Sequence, residues 1–366
     1  MVEFVVRVPE FTPPGRRAFL AGDGPLGDWS AAGVPLDPWG DGTFRTRLEL
    51  PPGFYGHFLV TLGRWRDAEN DGHGHEFFPR ELRADGPPRV EARVQGWDQS
   101  SIDYHHDFRS RFLPHGRTVS VWLPPGYGVQ PDRRYPVFYL HDGQNLFDAH
   151  TAFGGVPWGA DEVAEREVRA GRVPPVILVG VANTPDRLHE YGPQRCGPRR
   201  AHDLSRAYGR FLVEEVKPFI DARYRTRPDL EHTGVGGSSM GGLISLHLCK
   251  WYPGVFGRCA ALSPSLWWDR EYFLRNVTVA PEWLRRCRVW IDVGQFESSS
   301  RVGSAATIRR TRRLAGLFAR HGLEEGTGYR YVEVPGGTHN EVSWGARFDR
   351  VLRFLFSPQA PPPASI

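Results

Sequence analysis

Five residues constrain this chain more than any others: Gly237-Ser238-Ser239-Met240-Gly241. They follow a short apolar run, residues 233–236, and open an apolar stretch, MGGLISLHLCKWYP, with the character of a buried helix. A serine at the tip of a sharp strand-to-helix turn needs small flanking residues, because strand and helix must pass close to one another there. A strand that feeds directly into a helix packed on its own sheet is a unit of parallel α/β architecture. The plain alternative is a glycine-rich turn without chemistry.

The surrounding pattern agrees with such a sheet. RTVSVWLP and YPVFYLHD read as strands, and WGADEVAEREVRAG has helical spacing. PPVILVGVAN is a continuous apolar run, as in a strand buried on both faces. A helix over DLSRAYGRFLVEEVKPFIDARY follows, and CAALSPS, RVWIDVGQ and GYRYVEVPG read as later strands. NEVSWGARFDRVLRFLF closes the pattern as a helix. Residues 117–356 therefore predict a mostly parallel sheet with helices on both faces. The first 98 residues differ. VEFVVRV, FLAGD, FRTRLEL, FYGHFLVTL and RVEARV are short strands separated by Gly/Pro turns, which predicts a small immunoglobulin-like β-sandwich. Residues 99–116 read as a linker and 357–366 as a disordered tail.

Composition excludes several function classes. The four cysteines show no C-x-x-C spacing, which argues against a zinc ribbon or a disulfide scaffold. No stretch approaches the roughly 18 apolar residues of a membrane span. MVEFVVRVPEF lacks the basic start and long apolar run of a secretory signal, so a soluble cytoplasmic protein is expected. Of 46 basic residues only Lys217 and Lys250 are lysine, a bias that reads as base composition rather than function. Residues 1–98 hold 11 basic and 15 acidic side chains, and the remainder holds 35 and 27. That mild excess falls short of the basic stripe of a nucleic-acid binder.

A serine nucleophile needs a base, and the base needs an orienting acid. In α/β-hydrolases, whose strand-turn-helix serine this one resembles, both come later in the chain, in loops that follow strands, in the order serine, acid, histidine. His339, in the loop PGGTHN after GYRYVEV, is in the right place for the base. His321 ends an Arg-rich helix and suits a helix-terminal role. Glu297, in the loop after RVWIDVGQ, is the candidate acid. Asp292, within that strand, is its rival, and a Ser–His pair without an acid is a third possibility.

Two resemblances add to this reading. FLAGDGPLGDWSAAGVPLDPWGDGTFRTRLELPPGFYGHFLVTLGRW resembles a starch-binding-type carbohydrate-binding module, through Gly22, Leu26, Gly27, Trp29, Leu36, Gly42, Phe44, Phe54, Phe58, Gly63 and Trp65. The lysine usual after the paired aromatics is replaced by Leu59. Residues ~105–356 resemble an esterase family of the α/β-hydrolases that includes feruloyl esterases, S-formylglutathione hydrolase, mycolyltransferases and enterochelin esterases. The matching stretches are YLHDGQNLFD, WGADEVAE, DRLHEYGP, GGSSMGGL, ALSPSLWW, VGQFE and GGTHNEVSW. The resemblance implies an α/β-hydrolase fold, Ser239 as nucleophile, His339 as base and Glu297 as acid. It also implies oxyanion donors at the backbone N–H groups of Gln144 and Met240.

Other stretches have weaker readings. Trp267 could line a substrate pocket or belong to the core. Arg187, Glu190 and Tyr191 form a loop near the site in which Arg187 is a substrate-contact candidate. His73-x-His75-Glu76 could ligate a metal but reads as solvated strand, and Arg309, Arg310, Arg312 and Arg313 read as a solvated helix face. Trp29 is expected in the core and Trp65 at the surface. The chain is thus expected to be a serine hydrolase with no cofactor or metal. Its partner would be a small-molecule or glycan-linked ester, with no nucleic acid and no membrane. Siderophore lactones or small acyl esters lead as substrates. Glycan esters, acyl transfer by the same triad, and α-glucan binding with a degenerate hydrolase domain are the alternatives. The oligomeric state is not legible.

Overall fold

A computed structural model describes the chain apart from residues 10, 11, 13, 14, 40, 71–78, 98, 99, 126, 128–131, 194–203 and 358–366. The His73/His75/Glu76 cluster and nearly all of the tail lie outside the described residues. The chain divides into two units, one of residues 1–101, 123–133 and 162–172, the other of residues 102–122, 134–161 and 173–366.

The first unit is built on strands β1 (Val2–Arg7), β2 (Ala18–Gly22), β3 (Val34–Trp39), β4 (Thr43–Leu48), β5 (Tyr55–Thr61), β6 (Glu69–Asn70), β7 (Arg80–Arg83), β8 (Arg89–Arg93) and β9 (Gly96–Trp97). Seven of them form one sheet in the order β7-β5-β2-β3-β4-β1-β8, while β6 and β9 pair separately. Every second residue of a strand faces the same side. Accordingly Phe4, Val6, Leu20, Phe58 and Val60 are fully buried in one apolar cluster.

Two features of this unit differ from expectation. Strand β3 contains Pro35 and Pro38, and proline argues against a central strand. The register resolves the conflict. Val34–Leu36 pairs with β2 and Asp37–Trp39 pairs with β4, so each half has a neighbour on one side only. Trp65, expected at the surface, is 2% exposed. Its ring stacks on that of Trp29 at 6.3 Å, and the Arg169 guanidinium lies over it. The polar residues around Trp65 in sequence conceal this, because the ring turns inward from a short 3₁₀ turn, Trp65–Asp67.

The second unit holds β10 (Ser101–Phe108), β11 (Arg117–Leu123), β12 (Val137–His141), β13 (Ile177–Val181), β14 (Thr233–Ser238), β15 (Arg258–Leu262), β16 (Arg288–Phe296) and β17 (Tyr329–Thr338). Among the described residues the α-helices are α1 (Ala160–Arg169), α2 (Arg187–Tyr191), α3 (Leu204–Arg210), α4 (Lys217–Arg223), α5 (Met240–Trp251), α6 (Trp268–Asn276), α7 (Arg301–Arg320), α8 (Glu341–Gly345) and α9 (Phe348–Phe356). The sheet order is β10-β11-β13-β12-β14-β15-β16-β17. From β13 to β17 every neighbouring pair is parallel, and β11 runs antiparallel to β13. All residues of β12, β13 and β14 are buried, as their apolar runs require.

After β12 the chain turns to β13 on one side and later to β14 on the other. That reversal opens a crevice at the carboxyl ends of β12 and β14, the usual ligand position in open α/β sheets. Glycine in β14 leaves room for the side chains of both neighbouring strands. A Cβ on Gly236 would lie 2.8 Å from the Phe138 ring and 2.9 Å from Ala260 Cβ.

Three boundaries were not visible in sequence. The expected linker carries β10, which adds an edge strand to the sheet. The helix expected over residues 203–224 is interrupted by a π-turn at Phe211–Val216. Pro218 follows at the start of α4 and has no N–H for an i−4 bond, so a widened turn ahead of it is the low-cost solution. The closing helix splits into α8 and α9. Arg310 and Arg313 pair with Glu271, and Arg312 pairs with Glu333, as a solvated helix face would. No helix among the described residues is long and apolar enough to cross a membrane.

Two buried histidines make this unit sensitive to acid. His141 and His247 lie in the interior, and burial holds each ring's pKa down at about 3, against an ordinary 6.5. Between those values the unfolded chain binds protons that the folded chain refuses, so stability falls as pH falls across that window. His247 packs among Trp251, Tyr272 and Phe273. In His247→Phe the fall in urea-unfolding free energy between pH 6.5 and 4 should be clearly shallower than in wild type. An unchanged slope would remove His247 from this account.

Candidate active site

Ser239 stands at the junction of β14 and α5, with φ 55° and ψ −117°. Non-glycine residues occupy this region only where the surrounding structure holds them. Here the Ser239 N–H donates to Leu262 O at 2.9 Å, and its carbonyl accepts from the N–H groups of Leu243 and Ser265. Gly237 allows the chain to reverse so tightly. A Cβ there would sit 3.1–3.2 Å from the backbone of Gly241.

His339 directly follows β17, and Glu297 directly follows β16, so neighbouring parallel strands deliver both side chains to the same end of the sheet. His339 Nε2 lies 2.9 Å from Ser239 Oγ, and His339 Nδ1 lies 2.5 Å from Glu297 Oε2. The other carboxylate oxygen of Glu297 accepts from Ser263 Oγ at 2.6 Å and from the Gly294 N–H. Burial alone would push the Glu297 carboxyl up. The hydrogen bonds from His339, Ser263 and Gly294 outweigh it and hold the pKa below the usual value, so this is a carboxylate.

Asp292, the rival acid, faces elsewhere. It is fully buried and forms a two-point ion pair with Arg347, with Nη2–Oδ1 at 2.9 Å and Nε–Oδ2 at 3.1 Å. Trp290 Nε1 and the Ser263 N–H also donate to it. Arg347 Nη2 then reaches Ser263 Oγ at 2.8 Å, and Trp344 Nε1 donates to the same oxygen at 3.2 Å. Asp292 thus supports the group that supports Glu297. His321, as its position suggested, bonds the helix-end carbonyl of Leu317.

Gln144 lies in a 3₁₀ turn, Gly143–Asn145, after β12. This turn is tightly fixed. A Cβ on Gly143 would fall 2.4 Å from the Gly180 carbonyl carbon of β13. Asp142 before it has φ 56° and accepts Arg187 Nε at 2.6 Å, Arg187 Nη2 at 2.7 Å and Asn183 Nδ2 at 2.6 Å. The Gln144 side chain accepts from the Asn183 N–H. Asn145 Nδ2 donates to Glu341 beside His339, at 3.2 Å. Arg187 therefore commits two nitrogens to Asp142, and its neighbour Glu190 is locked in a buried pair with Arg117. The R-x-x-E-Y segment acts as a brace for the Gln144 turn. Met240 begins α5, where backbone N–H groups have no partner within the helix. Trp267 is 51% exposed, which removes it from the core, and it meets Trp268 edge-on.

Sequence reasoning passed over Ser263, Ser265, Asn183 and Arg347. The S-P-S step straight after β15 was the available signal, since polar residues at the carboxyl end of a parallel strand face the crevice. Among the described residues, no group of three or more His, Cys, Asp or Glu side chains is placed to hold a metal.

Comparison with known proteins bears on this arrangement. A family model described as "Putative esterase" matches residues 110–355. The ferri-bacillibactin esterase BesA of Bacillus subtilis is 25% identical over 266 residues, 67% of this chain and 87% of that protein. The endo-1,4-beta-xylanase/feruloyl esterase of Xylanibacter ruminicola is 26% identical over 345 residues, 90% of this chain and 42% of that protein. Among solved structures, the BES protein from Bacillus cereus aligns with TM-score 0.57 at 19% identity, over 71% of this chain and 97% of its own. The enterobactin esterase FES from Shigella flexneri aligns with TM-score 0.53 at 16% identity, over 96% of this chain and 92% of its own. These structural likenesses are of fold, and they make the second unit an α/β-hydrolase-like domain.

The backbone at Ser239 gives a direct test of stored strain. Glycine adopts its φ/ψ without penalty, so Ser239→Gly should raise the unfolding free energy, by about 1 kcal/mol. Urea denaturation of the full chain measures this, and an unaltered or lowered midpoint would show that the elbow is unstrained.

Proposed function

Because this chain belongs to the Putative esterase family and is a hydrolase acting on carboxylic esters, we propose that Ser239, His339 and Glu297 are its catalytic triad, working through an acyl-enzyme. The observation that carries this reading is His339, with one ring nitrogen on the Ser239 hydroxyl and the other on a buried carboxylate. Ser239 Oγ attacks the ester carbonyl as its proton passes to Nε2. Glu297 keeps Nδ1 protonated and balances the imidazolium that forms. The N–H groups of Met240 and Gln144 receive the negative oxygen. A donor of this kind is worth roughly 2.7–4 kcal/mol in the transition state. His339 returns the proton to the departing alcohol, then activates water to release the acid.

For the substrate, we favour a siderophore lactone or another small acyl ester. BesA is named for a ferri-siderophore. Exposed apolar side chains flank the site residues: Trp267 two positions from Ser265, Leu188 beside Arg187, and Phe153, whose N–H bonds Asn145. The buried, free thiols of Cys249, Cys259 and Cys287 suit a reducing, cytoplasmic setting. A glycan-linked ester is the second reading, favoured by the long match to a protein named as a xylanase and feruloyl esterase. We read the first unit as a β-sandwich that serves as scaffold rather than sugar binder. Trp29 and Trp65, the two tryptophans of the module resemblance, are buried and stacked on each other rather than displayed on the surface, which supports that reading.

Ser239→Ala should lower ester turnover by about 10⁴-fold or more with the fold intact, and a fluorophosphonate should label Ser239 in the wild type. Labelling at another serine would refute the triad. Glu297→Gln should cost less, about 10²- to 10⁴-fold, because it disturbs the orientation of the base and leaves the nucleophile in place. A panel of short-chain, feruloyl, acetyl-sugar and catecholate-lactone esters separates the substrate readings.

A further inference from the structure

Ser239 has a second hydroxyl against it. Ser265 Oγ lies 3.2 Å from Ser239 Oγ, and the Ser265 N–H donates to the Ser239 carbonyl at 3.0 Å. Ser265 is 3% exposed, so its hydroxyl is directed within the protein rather than solvated. The direction of the hydroxyl contact follows from counting protons. A carboxylate only accepts, so the proton between Glu297 and His339 resides on Nδ1. In the neutral imidazole Nε2 is then an acceptor, and the single Ser239 proton goes to it. The contact between the two serines must therefore run the other way, with Ser265 donating to a lone pair of Ser239 Oγ.

From this we infer that Ser265 is a further catalytic residue, one that stabilises charge on the nucleophile's oxygen at both steps of the reaction. The inference rests on Ser239 being the nucleophile. During acylation Oγ loses its proton to Nε2 while it forms the bond to the carbonyl carbon, and the Ser265 donor lowers the energy of the partly negative oxygen. In the acyl-enzyme that oxygen belongs to an ester and accepts only weakly. During deacylation water adds to the carbonyl carbon, the C–Oγ bond breaks, and Oγ leaves with the electron pair. It recovers its proton from the imidazolium, and the Ser265 donor again meets developing negative charge. The backbone bond from Ser265 holds the Ser239 carbonyl throughout, and it survives side-chain substitution.

The S-P-S step thereby serves both ends of the triad. Ser263 donates to the acid and Ser265 donates to the nucleophile, two residues apart. Ser263 has φ 43°, which swings the two side chains to different partners across one proline.

The test is kinetic and uses the full chain. Ser265→Ala should slow fluorophosphonate labelling of Ser239 by about 10- to 100-fold, the range expected for one hydrogen bond to a charged oxygen. It should lower kcat for p-nitrophenyl acetate by a similar factor, with KM within about threefold of wild type. Ser265→Cys keeps the size with a weaker donor and should fall between wild type and alanine. It carries the same expectation should the alanine variant fail to fold. Labelling at Ser239 within twofold of the wild-type rate would overturn the inference while leaving the triad standing. So would a loss confined to KM, which would mark a binding or packing role. Absence of label from Ser239 in the wild type would instead remove the nucleophile and this inference with it.

Discussion

Asp292 is a charged side chain with no access to water, and the arrangement of the site follows from how that charge is met. An isolated buried carboxylate is prohibitively unfavourable, so a cation has to be brought to it. Arg347 comes from the turn between α8 and α9, near the end of the chain, and pairs with it at two points. A guanidinium has more donors than one carboxylate can use, and the surplus reaches Ser263. With Arg347 and Trp344 both donating to its oxygen, the one Ser263 proton is free to point at Glu297. Glu297 is in turn left with one oxygen for His339. Each group thus fixes the hydrogen-bonding direction of the next, over strands contributed by residues far apart in sequence.

The same logic explains why one region of the sequence was transparent and another opaque. The elbow, His339 and Glu297 were legible because each stands at a boundary. A strand ends, a loop begins, and a residue of the right chemistry occurs there. Asp292 and Glu297 are five residues apart, and only the strand's end, which puts Glu297 in the loop, separates them in sequence. Which one meets His339 depends on Arg347, more than fifty residues later. Arg187 stands between a structural and a substrate-contact reading in sequence for a related reason. An arginine near a site reads as a ligand for substrate unless its carboxylate partner is known, and Asp142 lies 45 residues away.

Secondary structure followed the same rule. Apolar runs such as PPVILVGVAN announce a strand buried on both faces, and the structure has β13 there. Strand β10 was missed because an edge strand with largely exposed residues has no such signature. The π-turn before α4 depends on a proline two residues into the next helix, and hydrophobic spacing does not report a missing backbone donor. Trp65 shows the limit of local polarity. Its neighbours are charged, yet its ring area outweighs them once Trp29 offers a flat surface to cover it.

Strand β3 has a consequence beyond its own sheet. A strand paired on one side at a time leaves stretches of main chain open to recruitment by another molecule, the usual beginning of ordered aggregation. Recruitment needs a regular row of amide hydrogens, and the ring nitrogens at Pro35 and Pro38 break that row in each half of β3. The prolines that make this segment look unlike a strand thus also keep it from acting as a template, so the crossing point of the sheet is guarded by the residues least suited to build one.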